Sequence, residues 1–127
     1  CLATTPLDLL WAALEAVAYR VALIFDRLAP LLTLDCMIVA SGGALLSSAV
    51  WPQIIADVLG RPIAMSEVNE ASARGTALLA LEALTVIDDV AGAPSFIGPV
   101  VEPREGVQAR YQEAMARQHA LYEMLVG

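Results

Sequence analysis

The stretch IVASGGALLSSAVWPQIIADVLGRPI, residues 38 to 63, reads as a strand, a glycine turn and a helix in immediate succession. The apolar run from Met37 to Ala40 leads into Ser41, Gly42 and Gly43, where the backbone is free to turn tightly and to approach a ligand with no Cβ in the way. A helix that starts behind such a turn offers free N–H groups and a partial positive charge, a combination that suits a phosphate. The same two glycines also fit a tight strand-to-helix turn that holds nothing.

Outward from this stretch, the pattern predicts alternating elements. Leu34 to Ala40 (LDCMIVA) reads as a strand covered on both faces, the kind found in α/β sheets. Ser47 and Ser48 are capping residues for a helix that runs to Leu59 and ends at Gly60, a residue able to take the left-handed conformation. Pro52 falls in or just past its first turn. Arg61 to Met65 (RPIAM) predicts a second strand, led by a proline that suits a first position or an edge. A helix over about Asn69 to Leu84 follows, with Ala73, Ala77, Leu78, Leu81 and Leu84 as its apolar stripe and Glu70 as a capping residue.

Upstream, Leu10, Trp11, Leu14, Val17, Val21, Ile24, Phe25 and Leu28 share one helical face between Pro6 and Pro30, with Thr5 as the cap. Downstream, residues 92 to 106 hold three prolines and three glycines and read as a linker loop, ahead of a last helix over about Val107 to Val126. That helix is expected to pack back on the sheet. His119 on it has no acid or cysteine at ligand spacing and reads as a surface or satisfied histidine.

Composition narrows the function classes. The chain has 127 residues, enough for one domain, and begins at Cys1, which reads as a piece cut from a longer polypeptide. Hydrophobic residues make up 58% and mean hydropathy is +0.66, yet the most apolar region, residues 6 to 29, is interrupted by Asp8, Glu15, Arg20, Asp26 and Arg27. No run reaches the roughly 20 apolar residues of a bilayer crossing, so no membrane partner is expected. The apolar surplus points instead to a face that meets another domain or subunit.

Fourteen acids face seven arginines and no lysine, for a net charge of −7. Nucleic-acid binding is excluded on charge, and a P-loop ending in GK[ST] cannot be present, so any nucleotide is held mainly by backbone. Cys1 and Cys36 are too few for a disulfide framework and belong to no metal-ligand spacing, which points to a reduced, cytoplasmic setting with Cys36 as a small core residue. No metal ligands are assigned to this chain. Asp57 reads as a buried, hydrogen-bonded carboxylate rather than a catalytic one. Arg74 reads either as a phosphate ligand or as an exposed or interface arginine.

Three segments then align with a known pattern. The order GG-x₃-S, W-x-Q-x₂-AD-x-LG-x-P-[IV] and E-A-S-x-x-G-x-ALLA is carried by Gly42, Gly43, Ser47, Trp51, Gln53, Ala56, Asp57, Leu59, Gly60, Pro62, Ile63, Glu70, Ala71, Ser72, Gly75 and residues 77 to 80. It resembles the C-terminal domain of the FGGY carbohydrate kinases. AALEAVAY at residues 12 to 19 resembles the helix around that family's LEG-type motif, and residues 111 to 122 resemble its closing helix. The chain departs from the pattern at Ala44, where a third glycine is common, at Ala16 and Thr76, and at Pro52, which follows the tryptophan instead of preceding it.

The resemblance implies an α/β, actin-like and ribonuclease-H-like ATPase lobe, a short sheet packed by several helices. It would span residues 1 to 127 as the C-terminal lobe of a longer kinase: a nucleotide-side core over 1 to 91, the linker over 92 to 106 and the last helix over 107 to 127. It implies ATP and Mg²⁺ as cofactors and transfer of the γ-phosphate to a sugar, sugar acid or polyol hydroxyl. Gluconate is favoured by the EASARGTALLALEA version of the third motif, and xylulose comes next. Gly42, Gly43 and Ala44 are carried over as backbone contacts to ribose and phosphates, and Ser47 as a neighbour of the adenine. No catalytic residue is assigned here, since the family's aspartate base is expected N-terminal to Cys1, in a sugar-binding lobe that would be this chain's main partner. A homodimer face is the other use for the exposed apolar surface. The 127-residue chain alone is expected to be inactive. The competing reading is a non-catalytic actin-like module that binds nucleotide or a partner protein.

Overall fold

The computed structural model describes residues 3 to 33 and 35 to 126. Helix α1 spans Pro6–Leu28 and starts as its sequence dictates. The Thr5 hydroxyl accepts from the Asp8 backbone N–H at 3.2 Å, and the Asp8 carboxylate accepts from the Thr5 backbone N–H at 2.8 Å. This reciprocal capping box satisfies two amide donors that a helix start leaves open. The predicted span is confirmed, and the predicted face is corrected. Ala18, Tyr19 and Ala22 are the buried residues of α1, whereas Leu10, Val17, Ile24 and Leu28 are exposed. Small side chains at 18 and 22 let α1 lie close against its neighbour, and most of the larger apolar residues form a second face turned outward.

That neighbour is helix α3, Trp51–Leu59, the most buried element of the fold. Six of its nine residues are buried, Ile54 and Ala56 almost completely. Sequestering one such isoleucine contributes about 2–3 kcal/mol. The Ser48 hydroxyl accepts from the Trp51 N–H at 3.1 Å, and Pro52 stands within the first turn, where its missing N–H costs no helical bond. Gly60 closes the helix at φ +61°, a left-handed conformation that favours glycine, and the Gln108 side-chain amide rests against it.

The sheet has three strands in the order β1 (Ile38–Ala40), β2 (Ile63–Ser66), β3 (Ile97–Val101). β1 and β2 are parallel, with Ile38 opposite Ile63 and Ala40 opposite Met65, and α3 is part of the crossover between them. β3 runs antiparallel to β2, with Ile63 opposite Val101. Three expectations are corrected here. β1 is shorter than Leu34 to Ala40, Leu34 lying outside the described residues, and it is not covered on both faces, since Val39 is exposed. Residues 92 to 106 are not simply a linker loop, because they contain β3. An edge strand tolerates Pro99, whose nitrogen has no proton to give, so its proline and glycine content did not prevent pairing.

Helix α4, Ala71–Ala83, contains no buried residue. Ala73, Ala77, Leu81 and Leu84 of the expected stripe are exposed and only Leu78 is partly covered. Helix α5, Gln108–Val126, packs on α3 rather than on the sheet, and reaches α1 through Tyr111, whose ring meets Tyr19 edge-on at 6.1 Å between centroids. Val107, Ala114 and Met115 join that contact, while Leu121, Tyr122 and Leu125 stay exposed. Among the described residues no helix is long and apolar enough to cross a membrane.

Burial, reinforced by the nearby Glu15 carboxylate, raises the Tyr19 phenol to about 12 and moves Tyr111 in the same direction. A raised folded-state value means that the stabilisation is complete below pH 10 and lost as pH climbs through about 12. With no lysine titrating in that range, urea denaturation of the chain should show a midpoint that falls from pH 10 upward. Tyr19→Phe should flatten most of this decline; an equally steep decline in the variant would place its origin elsewhere.

Candidate functional site

Parallel pairing of β1 and β2 brings their carboxyl ends to the same sheet edge, the usual place for a ligand crevice in an α/β sheet. One wall is the turn after β1. Gly42 sits at φ +100°, ψ 143°, a conformation closed to residues with a Cβ, and its carbonyl accepts from the N–H groups of Leu45 and Leu46 at 3.1 and 3.0 Å. This begins helix α2, Gly43–Leu46, a single turn separated from α3. The expected helix behind the glycines is therefore too short to carry a useful macrodipole. What remains is a set of backbone N–H groups at the open end of that turn.

The second wall is the segment from the end of β2 to the start of α4: Asn69, Glu70, Ala71 and Ser72. Together with Ser41, Gly42, Gly43, Leu46 and Ser47 it encloses an open cleft of about 600 Å³, a size suited to a nucleotide-sized ligand. Of the sequence-selected residues, Gly42, Gly43 and Ser47 line this cleft and Ala44 does not. Apart from its chain neighbours and the local helix backbone, no described atom lies within 4 Å of the point where a Cβ would stand on either glycine, so the backbone face there is bare.

The cleft lining contains no cation and one acid, Glu70. Glu70 occupies the cap position of α4, but its side chain makes no capping bond, which corrects the role expected of it. Arg74 does not line the cleft. Its guanidinium donates to the Pro94 carbonyl and stacks over the Phe96 ring at 5.1 Å, tying α4 to the segment that leads into β3.

Asp57 lies outside the cleft and is fully buried. Its carboxylate accepts from the Arg104 backbone N–H at 2.7 Å, from Arg104 Nε and Nη2 at 2.9 and 2.7 Å, and from Gln53 Nε2 at 3.0 Å. Gln53 Nε2 also donates to the Glu102 carbonyl at 2.9 Å. The ion pair holds the Arg104 guanidinium more firmly protonated than usual. This is the buried, hydrogen-bonded carboxylate expected from the sequence; its arginine partner, in a segment taken for a linker, was not anticipated. Cys36 is partly exposed rather than a core residue. His119 is exposed on α5. Among the described residues no group of three or more His, Cys, Asp or Glu is placed to hold a metal ion.

No local sequence pattern marks the second wall as part of the site. Glycines announce one wall by composition, whereas Asn69 to Ser72 reach it only because β2 lies beside β1.

Comparison with known proteins gives a consistent set of likenesses. The model of the FGGY family of carbohydrate kinases, C-terminal domain, matches residues 2 to 84, which include both walls of the cleft. Glycerol kinase 1 of Thermotoga maritima is 34% identical over 79 residues, covering 62% of this chain and 16% of that protein. A xylulose kinase structure from Rhodospirillum rubrum superimposes with a TM-score of 0.78 at 30% identity, over 98% of this chain and 26% of its own. A gluconate kinase from Lactobacillus acidophilus gives 0.75 at 21% identity, over 93% and 24%, a likeness of fold alone. The chain thus spans about a quarter or less of the length of the relatives it matches.

Proposed function

Because the chain belongs to the FGGY family of carbohydrate kinases, whose C-terminal domain has an actin-like ATPase fold, we propose that it forms the nucleotide-side part of an ATP-dependent kinase. The acceptor is a hydroxyl of a sugar, sugar acid or polyol. The observation that carries this reading is the cleft itself: a bare glycine backbone at the carboxyl end of β1, facing the start of α4, lies wholly inside the family match.

In this reading the N–H groups of the Gly42–Gly43 turn meet the ribose-to-phosphate part of ATP, with the Ala44 backbone behind them and Ser47 toward the adenine. A cleft without lysine or arginine leaves the phosphate charge to backbone dipoles and to Mg²⁺. Mg²⁺, when bound, would supply positive charge against the phosphates. The described residues of this chain offer no cluster of three or more ligands for it.

Phosphoryl transfer rests on positioning, so a base and an acceptor site must close over this cleft. Both belong to the sugar-binding lobe proposed to precede this chain. The outward face of α1, with Leu7 and Leu10 at 67% and 57% exposure, is available to that lobe or to a second copy. A cytoplasmic location, where ATP is plentiful, goes with the same proposal.

On the acceptor, the relatives shift the order of preference. Of the two structural likenesses, the one above 25% identity is to a xylulose kinase, which supports xylulose as the first acceptor to try, beside glycerol, since a glycerol kinase is 34% identical over 79 residues, with gluconate next on the strength of its motif. The test is ADP release by the complete protein with Mg-ATP across xylulose, gluconate, glycerol and related polyols. One acceptor is expected to raise release well above the no-acceptor background, and the 127-residue chain by itself is expected to give none. ATP binding without any acceptor-dependent release would favour the non-catalytic module instead.

A further inference from the structure

We propose that Glu70 is the ribose-reading residue of the cleft, accepting hydrogen bonds from the vicinal hydroxyls of the nucleotide. The proposal rests on the nucleotide reading given above and adds an orientation to it. Glu70 is the one ionisable group among the residues that line the cleft, and among the described residues its carboxylate has no hydrogen-bond or ion-pair partner. Its ordinary partner would be Arg74, one helical turn on, the spacing at which glutamate and arginine pair on a helix. Arg74 is used elsewhere: it donates to the Pro94 carbonyl and lies over Phe96. The acid is therefore left without a protein partner at the exposed rim of the cleft.

An ionised carboxylate only accepts hydrogen bonds, so its ligand must be a donor and cannot be a phosphate. The groups of ATP that donate are the two ribose hydroxyls and the adenine amino group. Two adjacent hydroxyls match the two oxygens of a carboxylate, the same solution by which an acid reads the ribose in dinucleotide-binding folds. Repulsion between Glu70 and the polyphosphate then sets the direction of the nucleotide. The sugar lies toward α4, and the phosphates run past Gly42 and Gly43 away from it. Ser72 and Asn69, on the same wall, supply neutral polar groups that do not offset this charge.

The experiment compares ATP, 2′-deoxy-ATP and 3′-deoxy-ATP binding to the complete protein by calorimetry, for the native sequence, Glu70→Gln and Glu70→Ala. The native protein is expected to bind each deoxy analogue about tenfold more weakly than ATP, as loss of a hydrogen bond to a charged group requires. Glu70→Ala should bind ATP about as weakly as the analogues and should no longer distinguish the three. Glu70→Gln, which keeps one acceptor oxygen and the side-chain volume, should fall between. Thermal melts of both variants verify that the fold is retained, and a structural role alone would weaken all three ligands equally. Undiminished discrimination in Glu70→Ala, or tighter ATP binding in either variant with discrimination intact, overturns the assignment while leaving the nucleotide site standing. A native protein that binds no ATP overturns both.

Discussion

Asp57→Ala is expected to lower the unfolding free energy by about 3 kcal/mol, the largest stability loss of any single substitution considered. The carboxylate is completely buried and accepts from four donors, so its removal takes the acceptor from the Arg104 backbone N–H and from one of the Gln53 amide bonds in a part-buried setting and leaves a cavity. The guanidinium side of the pair behaves differently. Arg104 is about half exposed and regains water when its partner is lost, which keeps the cost at the lower end of what a broken buried pair commands. What is lost besides energy is a tether. Gln53 and Asp57 together fix the segment from Glu102 to Arg104 on α3, and that segment joins β3 to α5. Denaturant midpoints of Asp57→Ala, Arg104→Ala and the double variant check this. The double variant should be hardly less stable than Asp57→Ala, because both changes break one network. Additive losses, or an Asp57→Ala variant as stable as the native chain, would remove the tether from the account.

The second large effect is on ligand binding with the fold untouched. Gly43 opens α2 without a positive φ, and beyond its chain neighbours and its own helix backbone no described atom lies within 4 Å of a Cβ placed there. Valine at this position should leave the stability of the complete protein within about 1 kcal/mol, since only helix propensity and solvent exposure change. If ATP lies against the turn, the branched side chain occupies the space of the ligand, and the dissociation constant for ATP should rise about 100-fold, or about 3 kcal/mol. Gly42→Ala is the instructive contrast. Its φ of +100° makes any side chain strained, so that variant should lose stability as well as affinity. A Gly43→Val protein that binds ATP like the native one would take the nucleotide away from the turn.

The sequence made some of this legible for reasons that are local. Thr5, Pro6 and Asp8 fix the start of α1 through hydrogen bonds three residues apart, and Gly60 fixes the end of α3 through its own left-handed backbone. The glycine turn was equally open to reading, because composition alone permits its conformation. The failures lie where a neighbour decides. Helix α1 is apolar on more than one face, and periodicity does not say which is inward. Ala18 and Ala22 win because α3 approaches closely there. Strand β3 was hidden by Pro99 and Gly98, which weaken a central strand but are acceptable at an edge beside β2. The wall of the cleft at Asn69 to Ser72 and the partnership of Asp57 with Arg104 depend on chain segments far apart in sequence. No pattern of spacing encodes them.

The most direct test of the central claim is an ADP titration of the complete, isotope-labelled protein, following the backbone amides on the two walls of the cleft. The account predicts saturable shifts at Gly42, Gly43 and Ser47 on one wall and at Glu70 to Ser72 on the other, with the same apparent affinity. Saturable ADP binding that leaves both walls silent and moves amides elsewhere would contradict it.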